Sequence, residues 1–379
     1  MQNSHPRHQA ALLALSVGLL ALPSSIAQAQ EPRPALQFGI GASGLHLDDI
    51  EFTAITDFFV TEVQDHQSNH DGDFNGYKLT GELSGLLPHR RGEWLAALAV
   101  RGFYARYEDE QQSRCVFTAD TDCAFFPLFD PDPTGTITSP GGSGSGGFFS
   151  DWRTTVDREA VHWGAALEMS LSRNAAAGAP ASFKDMPGSL KDAPVAVEAV
   201  PFQWRTGLAV RRLDQKSSLV SVDFGPTQDP VTLDDNLDAT YYGGYVGFST
   251  WKPLAGGFRV KLSGETGLYY ADADYKGAYT ASASLGDDSP IAQSVKLSDS
   301  APAFIGLLNV ALERDFGPAT LGLFGEAEWI SYVPKVLYND TDLNGGVPFD
   351  VVGVQNGTVL GEGSAFSYTV GVRINVPLN

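Results

Sequence analysis

An antiparallel, up-and-down β-barrel of about ten membrane-crossing strands is the fold class the sequence predicts. Three observations point to it. Segments of strand length alternate between apolar and polar residues, the links between them alternate between long and short, and the negative charge lies largely in the long links. In residues 258–271, Phe258, Val260, Leu262, Leu268 and Tyr270 fall on one face, with Arg259, Lys261, Ser263 and Glu265 on the other. Successive side chains of a strand point to opposite sides. A soluble sandwich would bury that apolar face, whereas a membrane barrel turns it to lipid and its charges to the lumen.

Residues 1–29 read as a secretory signal peptide. His5, Arg7 and His8 precede the apolar run Ala10–Leu22, and Ala27-Gln28-Ala29 is a small-x-small cleavage site. The run is too short to cross a bilayer as a helix. No stretch downstream approaches the length of an apolar transmembrane helix. Residues 30–379 are expected to form a single barrel domain.

Ten segments carry the period of two: 36–47, 74–87, 94–107, 155–171, 200–213, 239–252, 258–271, 303–313, 320–332 and 364–378. In the second, Tyr77, Leu79, Leu83 and Leu87 oppose Lys78, Thr80, Glu82 and Ser84. In the fourth, Val161, Trp163, Leu167 and Met169 oppose His162, Gly164, Glu168 and Ser170. In the last, Phe366, Tyr368, Val370, Val372 and Ile374 oppose Ser367, Thr369, Arg373 and Asn375.

The short links PHRRGE, PLAGG and RDFGPA alternate with links of roughly 25 to 45 residues, as short periplasmic turns and long extracellular loops do. The link 173–199 is long for a periplasmic turn. A hairpin inside it, or inside 108–152, would give the alternative of twelve strands. The long links 48–73, 108–152, 214–238, 272–300 and 334–362 hold 31 acidic and 5 basic side chains, out of 45 and 25 in the whole chain. The overall balance of 25 basic against 45 acidic side chains argues against nucleic acid as a partner, because phosphate binding needs clustered Lys and Arg. Aromatic residues also collect at both strand ends. Trp94, Phe202, Trp204, Trp251 and Phe258 lie beside the short turns. Tyr104, Tyr107, Trp152, Tyr242, Tyr270, Trp329 and Tyr332 lie beside the long links. Two interfacial belts have this form.

With these features the chain resembles the bacterial outer-membrane β-barrel superfamily, porin-like in the broad sense, over nearly all of residues 36–378. It departs from many members in ending Val-Pro-Leu-Asn rather than on an aromatic residue. The resemblance implies a monomer in the bacterial outer membrane, with membrane lipid, lipopolysaccharide and the barrel-assembly machinery as partners.

Residues placed on the lumenal face are Lys78, Glu82, Arg101, Glu168, Arg205, Arg211, Arg259, Lys261, Glu265, Glu313, Glu326, Glu328 and Arg373. A barrel of about ten strands has a modest interior, and long side chains of both signs would fill much of it. Such a set either plugs the barrel as a salt-bridge network or lines a narrow ion path. The plug is favoured, because open porins need more strands. Among the histidines His46, His66, His70, His89 and His162, only His162 lies on a lumenal face. A hydrolase at the barrel mouth would therefore have to use it, although a lone interior histidine more often satisfies a hydrogen-bond network. No catalytic residue is assigned.

DGDFNG, residues 71–76, places Asp71, Asp73 and Asn75 at alternating positions before Gly76, with Glu82 at the twelfth position, the pattern of a calcium loop. Residues 77–87 read as strand, which carries Glu82 away from Asp71 and argues against an EF-hand. DTDLNG repeats the spacing with Asp340, Asp342 and Asn344. Both stretches fall in expected long loops, so Ca²⁺ or Mg²⁺ at an acidic rim is the metal expectation, although Asp, Asn and Gly also make plain tight turns. No cofactor is required. Cys115 and Cys123, the only cysteines, form one close pair in an exported chain and predict a disulfide. The functional expectation is a non-enzymatic scaffold or narrow porin-like channel. The rivals are a hydrolase acting near His162 and a soluble secreted β-sandwich.

Overall fold

The computed structural model describes residues 34–48, 50–55, 65–70, 72–91, 94–115, 152–173, 202–223, 230–281, 291–337 and 358–378. The signal-peptide segment and link 174–201 lie outside them. Twelve strands form among the described residues: β1 Ala35–Leu47, β2 Ile50–Ile55, β3 Asp65–His70, β4 Asp73–Arg91, β5 Trp94–Cys115, β6 Trp152–Arg173, β7 Phe202–Asp223, β8 Pro230–Pro253, β9 Phe258–Ala281, β10 Ile291–Phe316, β11 Ala319–Leu337 and β12 Val359–Pro377. Ten of them close into one antiparallel barrel, in which β1 pairs with both β4 and β12 and the others follow in chain order. β2 and β3 pair only with each other.

All ten expected segments are strands, but the strands run further than expected. Residues 214–223 and 230–238, assigned to one long loop, continue β7 and β8, and residues 272–281 and 291–300 continue β9 and β10. Apart from β1, which has 13 residues, the barrel strands of 19 to 26 residues greatly exceed the roughly 9–11 that cross a bilayer. The barrel wall therefore stands well clear of the membrane on the long-loop side. Apolar alternation fades there because the outer face meets water, while backbone pairing continues.

The twelve-strand alternative is corrected to ten strands in the closed barrel; the hairpin expected in 173–199 or 108–152 lies outside the described residues, and β2–β3 is a different, separate hairpin after β1. The sandwich alternative is overturned by closure: one sheet wraps onto itself, and no second sheet packs across a core.

Faces follow parity. Leu268 is 73% exposed, and Ile40, Leu208, Val246, Leu323 and Val372 are exposed on the same outer surface. Exposed apolar rows around a closed barrel are a lipid-facing belt. Trp94, Phe202, Trp204 and Trp251 edge the belt near the short turns, and Tyr104, Tyr242, Tyr270 and Trp329 edge it on the other side. Tyr107 and Tyr332, expected in that second girdle, are buried inside instead. The short turns share one end of the barrel. A 3₁₀ turn at Ala255–Gly257 joins β8 to β9. Gly317, at φ 62°, joins β10 to β11, where a two-residue hairpin needs the left-handed region that glycine reaches without strain. The two described chain ends meet at this same end, with Leu378 N–H donating to the Pro34 carbonyl at 2.7 Å.

Candidate functional site: the filled lumen

The barrel interior is layered. At the level of the lipid belt, inward residues of eight strands supply charge. Lys78 Nζ lies 2.6 Å from Glu326 Oε1, and Arg205 Nε lies 2.6 Å from Glu168 Oε1. Arg101 holds both carboxylate oxygens of Glu265 through its two terminal nitrogens and reaches Glu168 at 3.5 Å. Arg211 bonds Glu328. Glu313 accepts from Arg259 at 2.7 Å and from Arg373 at 2.6 Å. Tyr245 donates to Glu168 at 2.8 Å, and Arg205 lies 3.8 Å from Glu82.

Arg101 to Glu265 joins β5 to β9, and Arg211 to Glu328 joins β7 to β11, so these pairs cross the lumen rather than run along the wall. Bidentate arginine geometry resists displacement, because both N–H groups and both oxygens are used at once. The thirteen charged positions read from the sequence all lie on the inward face. Twelve of them form ion pairs with one another; Lys261 makes none among the described residues. A cavity of about 110 Å³ sits among them.

His162 is 1% exposed. Its Nδ1 lies 3.6 Å from Glu328 Oε1, and the Phe103 ring stands edge-on to it, centroid to centroid 4.7 Å. The imidazole is wedged beneath the next layer, not placed at the mouth.

That next layer is apolar, and sequence reading missed it. Leu45, Tyr107, Leu213, Tyr241, Ile305 and Ile330 pack together with Ala105, Ala160, Ala271 and Ala303 in the lumen just above the charges. The few polar atoms in this layer are satisfied: Ser43 Oγ lies 3.1 Å from Tyr107 Oη and 2.8 Å from Thr369 Oγ1, and Tyr241 donates to the Tyr332 carbonyl at 3.1 Å. Above it lies a shallow cup on the long-loop side, where Arg158 stacks over Phe74 at 4.4 Å and Tyr275 donates to Asp235 at 2.5 Å. The signal for this layer was present in parity: Tyr107 follows Arg101 and Ala105 by even steps, so it shares their face.

The metal candidates are divided by the fold. Asp73 and Asn75 are strand residues of β4, paired with His46 and Gly44 of β1, not loop residues as expected. They face outward, Asp73 with His46 Nδ1 at 2.7 Å, whereas Glu82 faces the lumen. Asp71, Asp340, Asp342 and Asn344 lie outside the described residues. Cys115 ends β5, and Cys123 lies outside the described residues.

No family model matches this chain, and no curated protein matches it. Solved structures do. The outer-membrane protease OmpT of Escherichia coli aligns at 8% identity over 92% of this chain and 97% of that one, with a TM-score of 0.37. A FadL homologue of Pseudomonas aeruginosa aligns at 7% identity over 92% and 91%, with a TM-score of 0.24. The translocator domain of the autotransporter NalP from Neisseria meningitidis aligns at 10% over 91% and 88%, with a TM-score of 0.31. At these values none of them lends this chain an activity.

Proposed function

Taking this integral outer-membrane β-barrel as the premise, we propose that it works as a closed, non-enzymatic scaffold that holds an acidic surface above the membrane, and that solutes do not flow through it. The observation that carries this reading is the double seal of the lumen. Arginine–glutamate pairs tie opposite walls together, and an apolar layer lies directly over them. A conducting path would have to break buried ion pairs, each costing about 3–5 kcal/mol when one partner is lost, and then cross a layer with almost no polar partner for a hydrated ion.

The extended wall supports the other half of the reading. Strands that continue far past the lipid belt raise the loops on a rigid collar, and the extracellular half carries most of the chain's carboxylates. Such a rim attracts divalent cations, and calorimetry of refolded protein at about millimolar Ca²⁺ is the check. Lipid and lipopolysaccharide would contact the apolar belt and the band above it.

Single-channel recording in a planar bilayer tests the central claim. The expected record is electrically silent, and steady unitary currents would overturn the closed-scaffold reading. A hydrolase would need His162 within reach of substrate, and its burial favours the scaffold. Assay of lipid and peptide turnover by the protein and by His162→Ala should find none in either. Turnover lost in the variant would establish an enzyme.

A further inference from the structure

In the layer level with the lipid belt one cation has no carboxylate partner. Lys78, Arg101, Arg205, Arg211, Arg259, Lys261 and Arg373 supply seven cations, against the six carboxylates of Glu82, Glu168, Glu265, Glu313, Glu326 and Glu328. Every carboxylate is engaged, and the surplus is Lys261, which has no hydrogen bond or ion pair among the described residues. The further inward carboxylate on this side, Asp315, is 61% exposed at the periplasmic mouth and pairs with Arg259, so it does not serve Lys261. The ammonium of Lys261 faces Glu82 and Glu313 but also the guanidinium groups of Arg205 and Arg373. It lines the cavity of about 110 Å³ together with Gln37, Ser263, Asn309 and Arg373, and the carboxylates of Glu82, Glu265 and Glu326, each paired with an arginine or lysine, line the same cavity. The Nε–H of Arg373 is buried and makes no hydrogen bond.

A lone ammonium in a confined interior is expensive, and so is a buried donor without an acceptor. One occupant relieves both. We propose that the lumenal cavity beside Lys261 is a binding site for a single small monovalent inorganic anion of the chloride class. The single unpaired ammonium sets the valence: one negative charge compensates Lys261, whereas a divalent phosphate would add a second negative charge next to Glu82 and Glu313. The free donors set the chemistry: Asn309 is already bonded to Glu326 and Arg373, and the carboxylates are paired, so the Lys261 ammonium and the Arg373 Nε–H are the groups that need an acceptor with no proton of its own. The anion completes the ionic layer and ties β9 to β12, so it stabilises the folded barrel by mass action.

Bromide replaces chloride in such sites and scatters anomalously. Crystals of the detergent-solubilised protein grown in sodium bromide should show an anomalous peak in the cavity beside Lys261 Nζ, and Lys261→Met crystals should show none. A cavity without bromide in the unaltered protein, or a peak that survives in Lys261→Met, overturns the proposal. A second measurement needs no crystals of a variant. At constant ionic strength, replacing gluconate by chloride should raise the unfolding temperature of the unaltered protein, and of Lys261→Arg, while leaving Lys261→Gln unmoved. Equal midpoints in the two salts for the unaltered protein would sink the idea. Neither result depends on whether the barrel conducts, so failure here leaves the closed-scaffold reading standing.

Discussion

Arg211 on β7 and Glu328 on β11 meet across the centre of the barrel, 117 residues apart in sequence, with side chains 7% and 1% exposed. Each is the other's main source of compensation for lost water. Removing only the cation, as in Arg211→Met, strands a buried carboxylate and should lower unfolding free energy by about 3–5 kcal/mol. The double variant Arg211→Met with Glu328→Leu removes both charges and should recover much of that loss. Urea unfolding of the four proteins in lipid vesicles, followed by heat-modifiable gel migration, measures the cycle.

Leu268 stands on the opposite face of β9 from Glu265, exposed in the lipid belt. An arginine there must sit in hydrocarbon. Leu268→Arg should therefore cost about 2–4 kcal/mol, whereas Asp272→Arg, four residues further up the same face and past the Tyr270 girdle, should cost about 0–1 kcal/mol. Equal costs in vesicle unfolding would contradict the placement of the belt.

Asp214, Asp238 and Asp274 face each other in one row of β7, β8 and β9, outside the lipid belt. Partial burial, followed by a hydrogen bond with Asp214, raises the Asp238 carboxyl above its ordinary value of 3.8, with Arg212 opposing the shift. A carboxyl raised in the folded state favours folding while protonated. Its contribution is full below the unfolded value and is lost as pH rises through the folded one. Asp238→Asn should remove this component, flattening the decline in unfolding midpoint measured upward from about pH 4.

Gly76 on β4 has no room for a side chain. A methyl group would lie 1.8 Å from the Arg106 carbonyl oxygen, which belongs to the backbone of β5. Gly76→Ala should destabilise the barrel by about 1–3 kcal/mol through forced displacement. Gly325→Ala, where nothing lies within 4 Å, should leave the unfolding midpoint close to that of the parent.

How much of this was legible differs from one residue to the next. That Leu268 and Glu265 lie on opposite faces could be read from the alternation of β9 alone, whereas which face meets lipid followed only from the links and charges of the whole chain. Tyr107 and Tyr332 were assigned to an interfacial girdle because they stand at strand ends. Their side chains turn inward, and only the counted steps from Arg101 and Glu328 would have revealed it. The Asp73 stretch looked like a turn because Asp, Asn and Gly favour turns. It is strand because β1 and β5 offer it backbone partners on both edges.

The sequence by itself determined the ten-strand pattern, the lipid and lumen faces, and the end that carries the acid, because each depends on a local period of two or on composition within one link. The tertiary structure alone decided that Arg211 meets Glu328, that an apolar layer caps the ions, and that Lys261 has no hydrogen bond or ion pair among the described residues. Those outcomes depend on closure, register and stagger around the barrel. They bring together inward side chains from walls far apart in the chain, and no local pattern encodes that distance.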